Sequence, residues 1–263
     1  MYQHLEVEQR GPVATVWMNR PERHNAFDEH LISELTAAFQ SLGASDSVRA
    51  LVLAGRGDSF SAGADVEWMR RAAGYDLDKN LNDARALAGM LRCIAETPKP
   101  TIARVHGAAI GGGMGLAAVC DIVIASTAAV FATSEVRLGL IPSAIGPYVV
   151  RAIGPRQAAR YFLTGERLSA AVAERIGLAH AVVAPEALDD QVRQITDALL
   201  LGGPKAQQAA KELLGVVSHS TLNDELVEET AQRIARIRGT AEAREGIQAF
   251  LQKRPANWVA RES

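Results

Sequence analysis

The sequence predicts a layered α/β domain followed by a helical C-terminal region, and three observations support this. Short apolar segments with the character of buried strands alternate with helical segments through most of the chain. Turns that contain glycine join a strand to a helix at 61–65 and at 111–113. Beyond Pro185, strand-like segments become rare and helical segments follow one another. We therefore divide the chain into a core, residues 1–200, and a helical region, residues 201–263.

The individual elements follow from hydrophobic periodicity and from capping residues. Alternating apolar and polar side chains predict strands, whereas apolar residues at helical spacing predict helices. Ser or Asp before such a run marks a helix start, and Gly or Pro marks its end. In chain order, these criteria predict a hairpin of 5–8 and 13–18, a helix from Asp28 to about Leu42, a strand at 50–55 and a short helix after Ala64, followed by a mobile loop to about Asn80. They next predict a helix over 81–95, a strand at 101–105, a turn at 111–113, a helix over 114–120 and a strand at 122–126. They then predict helices over 157–162, from Ser169 to Gly177, and over about 187–201, 204–217, 222–238 and 241–253.

The stretch 101–120 organises the chain, because it has the pattern of a strand, a glycine turn and a helix. A helix that opens from glycines presents unpaired N–H groups and the positive end of its dipole. Three interpretations compete: a dinucleotide fingerprint over 113–118, close packing of a helix on a sheet, and an oxyanion hole that uses the Gly112 amide. The fingerprint is disfavoured, because the strand 122–126 ends without an acidic residue for a ribose.

An oxyanion hole needs a second donor, and a similar unit lies upstream. The strand 50–55 leads through a loop into the segment 60–65 and then into a helix. Ala64 would offer its amide at the start of that helix. Two strand–turn–helix units could therefore aim two backbone donors at one oxygen atom.

Composition indicates an ordinary globular protein. The chain has 263 residues, of which 48% are hydrophobic and 22% charged, and its net charge of −2 gives no general attraction to nucleic acid or to an anionic membrane. The two cysteines and six histidines show no metal-ligand spacing, so we expect no metal site. The N-terminus lacks the pattern of a signal peptide and no apolar run is long enough to span a bilayer, so we expect a cytoplasmic protein.

The order of these motifs resembles that of the crotonase family of enoyl-CoA hydratases and isomerases. The residues that carry the resemblance are Asn19-Arg-Pro21, Asn25-Ala26, Ser61-Ala-Gly-Ala-Asp65, Gly107-Ala-Ala-Ile-Gly-Gly-Gly113, Cys120-Asp121, the run from Phe131 to Pro142, Leu163-Thr-Gly165, Gly177-Leu178 and the run from Phe250 to Arg254. The resemblance covers almost the whole chain. It implies a ββα superhelix core, an acyl-CoA substrate with no separate cofactor, and C-terminal helices that assemble the subunits into a trimer or a dimer of trimers.

The resemblance also implies roles for individual residues. The amides of Ala64 and Gly112 would hold the thioester oxygen while Glu135 moves protons. The small and apolar neighbours of Glu135 favour a raised pKa through desolvation. Further contacts to the substrate or to coenzyme A are expected from Ala62, Asp65, Arg23, Gly111, Arg137, Phe250 and Lys253, and the loop residues Arg20 and His24 could join Arg23 at a phosphate. Taken singly, Arg20, Arg23, His24 and Lys253 suit a solvated surface about as well as a ligand contact, and Arg137 suits a surface or an ion pair better.

One position departs from the family pattern. Hydratases with two catalytic carboxylates carry a glutamate four residues after the first of the three glycines, where this sequence has Gly115. A single carboxylate suits a Δ3–Δ2 enoyl-CoA isomerase, because it can carry one proton between two carbons. It can also activate a water molecule for hydration. A catalytically weak acyl-CoA-binding protein is a third alternative, of a different class.

In its detailed motifs the sequence is most similar to bacterial methylglutaconyl-CoA hydratases. The resemblance therefore favours a hydro-lyase that acts on a branched or carboxylated enoyl-CoA. A terminal carboxylate on the acyl group would need a cation, for which Arg137, Arg70 and Arg71 are candidates.

Overall fold

The computed structural model describes residues 2–218 and 220–259. The strands are β1 (Leu5–Arg10), β2 (Val13–Met18), β3 (Ala50–Gly55), β4 (Thr101–Val105), β5 (Ala108–Ile110), β6 (Ile122–Ser126), β7 (Val130–Ala132), β8 (Leu168–Ser169) and β9 (Ala181–Val183). The helices are α1 (Glu29–Ala44), α2 (Val66–Ala72), α3 (Leu77–Ala95), α4 (Gly112–Ala118), α5 (Gly146–Thr164), α6 (Ala170–Arg175), α7 (Leu188–Leu201), α8 (Pro204–Val217), α9 (Asp224–Arg238) and α10 (Ala241–Leu251). Short 3₁₀ helices lie at Pro21–Arg23, Glu135–Leu138 and Pro185–Ala187.

Two sheets form the core, and they confirm the predicted α/β fold. The larger sheet has six strands in the order β1-β2-β3-β4-β6-β9, in which β1 and β2 form the antiparallel hairpin and the other pairs are parallel. The smaller sheet has three strands in the order β5-β7-β8. Its strand β5 leads directly into the glycine turn that precedes α4.

The larger sheet is covered on both faces, as parallel sheets usually are. All six residues of β3 are buried. One face packs against α7, where Val52, Ile102 and Ile124 meet Leu188 and Val192. Side chains of the opposite face join α1, α3, α4 and α5 in the main core. The strands are therefore fixed from two sides, and the turns at their carboxyl ends are held with them.

Helix caps set by local signals agree with the predictions. The Asp28 side chain accepts hydrogen bonds from the amides of His30 and Leu31 and caps α1. Ser169 caps α6 by accepting a hydrogen bond from the Val172 amide. Both caps satisfy N–H groups that have no partner within the helix.

Other boundaries differ from the predictions for physical reasons. The predicted mobile loop before residue 80 is short, because Asp76 caps α3 and the helix begins at Leu77. The helix predicted over 157–162 is the second part of α5, which is interrupted at Gly154, where φ is 74°. The sequence does not predict strands β5, β7, β8 and β9, because three residues or fewer cannot establish an alternating pattern.

The C-terminal region is helical, as predicted, and it buries little of its own surface. Neither α8 nor α9 has a buried residue, and α10 buries only Ala249. Large apolar side chains on these helices remain exposed in the single chain, among them Leu214, Val227, Ile234, Ile247, Phe250 and Leu251. None of the helices within the described residues combines the length and the apolar character needed to cross a bilayer.

Candidate active site

Two turns meet beside a cavity of about 320 Å³. The Ser61 amide donates to the Ala108 carbonyl at 2.9 Å and the Ile110 amide donates to the Ser61 carbonyl at 3.0 Å, so the first turn is bound to β5. Gly63 permits a close approach of the turns, since its φ is +90° and a Cβ there would lie 2.6 Å from the Ile110 carbonyl oxygen. The residues that line this central cavity are Phe27, Ala62, Gly63, Ala64, Trp68, Met69, Ala72, Asn80, Asp83, Ala84, Leu87, Gly111, Gly112, Ser134, Glu135, Leu138, Leu140, Ile141, Pro142, Ser143, Ala144 and Ile145.

Ala64 and Gly112 both lie on the wall of the central cavity, as the oxyanion-hole hypothesis requires. The Phe27 amide donates a hydrogen bond to the Gly63 carbonyl, and the Phe27 carbonyl accepts one from the Asp65 amide. The Ala64 N–H between them takes no part in this pairing. Gly112 is the first residue of α4, where an N–H has no partner within the helix. Within the described residues, neither amide has a hydrogen-bond acceptor. Two unpaired donors therefore border one cavity.

Glu135 lines the same cavity and begins a 3₁₀ helix. Its Oε2 atom is buried, and no described residue forms a hydrogen bond with it. Its Oε1 atom lies against Gly111, 3.2 Å from the position that a Cβ on that glycine would occupy. Burial raises the pKa of Glu135 above the ordinary carboxyl value, because the charged form loses hydration. The carboxyl group is thus suited to exchange protons with a molecule in the cavity.

Close packing leaves no room for a side chain at position 115, where a second carboxylate would stand. A Cβ on Gly115 would overlap Cγ2 of Ile145 and lie 2.7 Å from its Cβ. Ile145 is 2% exposed and lines the central cavity. Its side chain therefore fills the space that a glutamate at position 115 would need to enter the site.

The contact between Gly115 and Ile145 predicts coupled effects on stability. Gly115→Ala is expected to lower the free energy of unfolding by about 1–3 kcal/mol, because the added methyl group overpacks the core. Adding Ile145→Ala should give a double variant less destabilised than the sum of the single variants, since the smaller side chain makes room for the methyl group. Urea unfolding of all four proteins measures the coupling, and strict additivity would contradict the contact.

The other predicted ligand residues lie in different settings. Ala62 and Gly111 line the central cavity. Arg23 and Arg137 are exposed, and Arg137 Nε donates to the Thr164 carbonyl at 3.3 Å. At the C-terminal end, Phe250 is 81% exposed and Lys253 is also exposed. Of these six residues, the single chain brings only the first two to the cavity.

Asp65 and Arg20 are engaged within the protein. Asp65 caps α2 by accepting hydrogen bonds from the amides of Glu67 and Trp68. Arg20 is buried and forms ion pairs with Asp65 at 3.1 Å and with Asp28 at 3.2 Å. The structure therefore corrects the expectation that Arg20 meets a phosphate, because its guanidinium is already paired inside the protein. A ligand contact by Asp65 would have to compete with its existing bonds.

Sequence reasoning missed Asp83 and Trp68 as cavity residues. Trp68 Nε1 donates to Asp83 Oδ2 at 3.1 Å, and both residues line the central cavity. Trp68 lies on α2 and Asp83 on α3. Tertiary packing determines which face of each helix is turned toward the cavity. No spacing in the sequence indicates that these side chains face the site.

The described residues contain no cluster suited to a metal ion. No three His, Cys, Asp or Glu side chains between residues 2 and 218 or 220 and 259 come together in that way. The polar groups on the wall of the central cavity include the two free amides and the carboxyl groups of Asp83 and Glu135.

Known proteins are similar to this chain over almost its whole length. Residues 8–261 match the family model described as enoyl-CoA hydratase/isomerase. A putative enoyl-CoA hydratase of Thermus thermophilus is 34% identical over 95% of this chain and 98% of its own length. A 2,3-dehydroadipyl-CoA hydratase of Escherichia coli is 33% identical over 98% of this chain and 99% of its own length.

Solved structures extend the similarity to the whole fold. The crystal structure of an enoyl-CoA hydratase from Shewanella pealeana has a TM-score of 0.95 at 41% identity, and the match covers 97% of this chain and 96% of that chain. Pseudomonas aeruginosa AtuE has a TM-score of 0.91 at 38% identity, with 98% of this chain and 100% of that chain covered.

Proposed function

The chain belongs to the enoyl-CoA hydratase/isomerase family, and on this premise we propose that it adds water to a 2-enoyl-CoA with Glu135 as the acid/base. The observation that carries the proposal is the arrangement of the central cavity. Two unpaired amides, from Ala64 and Gly112, and one buried, unpartnered carboxyl oxygen, from Glu135, border the same space within the described part of the chain. Donors for an oxyanion and a group for proton transfer are the two requirements of enolate chemistry.

The proposed mechanism uses one water molecule completely. The carboxylate of Glu135 accepts a proton from water as the water oxygen bonds to C3 of the enoyl thioester. The electron pair of the C2–C3 double bond shifts toward the thioester carbonyl, and its oxygen accepts hydrogen bonds from Ala64 and Gly112. Protonated Glu135 then returns the proton to C2. Both the hydroxyl group and the hydrogen of that water are thereby added.

A Δ3–Δ2 isomerase is the second candidate, and the lack of room for a side chain at position 115 favours it. Residue 115 is glycine and Ile145 fills the space beside it, so the site has no second glutamate at that position. Glu135 alone could remove a proton from C2 of a 3-enoyl-CoA and return it to C4. The two reactions share the oxyanion hole and differ in whether water reaches C3.

We propose that the acyl group is branched or carries a terminal carboxylate. Much of the cavity wall is apolar, which suits a branched hydrocarbon. Within the described residues, the charged groups on the wall are Asp83 and Glu135, with no Lys, Arg or His. A carboxylated acyl group would therefore need a cation from outside the wall. Arg70 and Arg71 pair with surface glutamates in the single chain, so either arginine could serve only if its ion pair opened.

We also propose that the C-terminal helices assemble copies of the chain into a trimer or a dimer of trimers. The exposed apolar side chains of α8, α9 and α10 support this, because burying them removes apolar surface from water. Phe250 and Lys253 would then reach the coenzyme A of a neighbouring subunit. The mass of the protein in solution tests the assembly.

A substrate panel tests the proposed function. Purified protein is given crotonyl-CoA, 3-methylglutaconyl-CoA and a 3-enoyl-CoA, and the products are separated by chromatography. Formation of 3-hydroxyacyl-CoA supports the hydratase, whereas conversion of the 3-enoyl to the 2-enoyl thioester alone favours the isomerase. Tight binding of coenzyme A without turnover of any substrate would instead favour an acyl-CoA-binding protein.

The raised pKa of Glu135 predicts the pH dependence of activity and of stability. Hydration starts from the carboxylate, so the acid limb of the kcat/KM profile should lie above the ordinary carboxyl pKa of 4.5. Because the folded protein holds this proton more tightly than the unfolded chain, the stability that Glu135 contributes is present below about pH 4.5 and is lost as the pH rises through the raised pKa. The stability of Glu135→Gln relative to wild type should therefore increase over the same interval. A pH series of kcat/KM and of urea unfolding measures both effects, and a relative decrease would contradict the assignment.

A further inference from the structure

Phe27 contacts both of the turns that carry the amide donors, and we propose that it is a positioning residue for both donors. It is 1% exposed, it lines the central cavity, and it precedes the Asp28 cap of α1. Its backbone contacts one turn and its ring contacts the other. The inference rests on the proposed function, because it concerns the two amides assigned to the thioester oxygen.

The backbone of Phe27 fixes the first donor. Its N–H donates to the Gly63 carbonyl at 2.8 Å, and its carbonyl accepts from the Asp65 amide at 2.9 Å. These two bonds bracket Ala64 and form an isolated parallel bridge with it. The Ala64 N–H is left out of the pairing, so the bridge fixes the turn without using the donor.

The ring of Phe27 fixes the second donor. A Cβ on Gly112 would overlap the ring atom Cζ of Phe27 and approach Cε2 to 3.3 Å, so the ring packs directly on the glycine backbone. The Trp68 ring lies beside it, with centroids 6.3 Å apart and planes tilted by 59°. The ring therefore packs against Trp68 of α2 on one side and against Gly112, at the start of α4, on the other.

This arrangement predicts that ring size affects oxyanion stabilisation more than binding of the substrate. Phe27→Leu keeps both backbone bonds but loses the ring contact, so Gly112 gains freedom while Ala64 does not. Complete loss of one oxyanion donor costs on the order of a hundredfold to a thousandfold in kcat. We expect a displaced donor to cost about tenfold in kcat, with KM changed by less than about twofold.

The test measures enolate stabilisation directly. Acetoacetyl-CoA ionises to an enolate with strong ultraviolet absorbance, and two well-placed donors increase the ionised fraction at a given pH. Wild type, Phe27→Leu and the control Phe39→Leu are compared for this absorbance, for kcat and KM on the best substrate of the panel, and for urea unfolding. Phe39 is matched because it is also 1% exposed, but it lies on α1 and does not line the central cavity.

Phe27→Leu should reduce the enolate fraction and kcat, while Phe39→Leu should change only the unfolding midpoint. Equal enolate fractions in wild type and Phe27→Leu, or equal losses in the two leucine variants, would overturn the proposal. If Phe27→Leu fails to fold, Phe27→Met is compared with wild type and Phe39→Leu in its place.

A complementing pair gives a second, independent readout. Gly112→Ala alone should lose enolate stabilisation because its methyl group meets the ring, and adding Phe27→Leu should restore part of it. Absence of any restoration would contradict the ring contact. If the wild type ionises acetoacetyl-CoA but turns over no substrate, the proposed function is refuted. The comparison of enolate fractions then tests the role of Phe27 by itself. Wild type that ionises none would refute the oxyanion hole and this inference with it.

Discussion

Glu135→Gln is expected to lower kcat by about a thousandfold, the middle of the range for removing a general acid/base. Glutamine has nearly the same shape as glutamate but cannot accept and return a proton. Because Oε2 of Glu135 has no hydrogen-bond partner among the described residues, no internal bond of that atom is lost in the exchange. Initial rates of hydration and the affinity for coenzyme A measure the effect, and the affinity should change by less than about twofold.

Glu186→Gln is a matched control for the loss of one carboxylate. Glu186 is exposed in the 3₁₀ helix Pro185–Ala187 and does not line the central cavity. This control should keep the wild-type rate. Comparable rates for Glu135→Gln and wild type would remove Glu135 from the mechanism.

Ala64→Pro should lower kcat by about a hundredfold or more, because proline has no N–H to donate to the thioester oxygen. The hydrogen bonds that bracket Ala64 use the Gly63 carbonyl and the Asp65 amide, so they do not depend on the nitrogen that is changed. Gly63 has no Cβ, so the clash between a proline Cδ and the preceding Cβ is absent. The ionised fraction of bound acetoacetyl-CoA should fall together with kcat.

Ala64→Gly provides the comparison, since it retains the N–H and removes only a methyl group. Its rate should remain within a few fold of wild type, and circular dichroism with urea unfolding checks that both variants fold. If the proline and glycine variants lost activity equally, the Ala64 amide would have no role beyond maintaining the turn.

The local parts of the site could be predicted from the sequence. The glycine turns, the Asp28 cap and the small, apolar surroundings of Glu135 are visible as short patterns, because each depends on neighbours in the chain. Family resemblance then joined Ala64, Gly112 and Glu135 into one hypothesis. The structure places all three on one cavity, as that hypothesis requires.

Residues whose role depends on distant contacts could not be predicted. Asp83 faces the cavity because of the way α3 packs, and Arg20 is buried because it pairs with Asp28 and Asp65. Phe27 has the sequence surroundings of an ordinary core residue. Only its contacts with both turns distinguish it from Phe39.

The sequence by itself determined the fold class, the family, the two glycine turns and the absence of glutamate at position 115. These features are encoded in residue type and short spacing, which act over one or two turns of the chain. Only the tertiary structure decided that Ile145 fills the space beside Gly115 and that Phe27 touches both amide turns. Such contacts join segments far apart in the chain, and which side chains meet is fixed by close packing of the whole core.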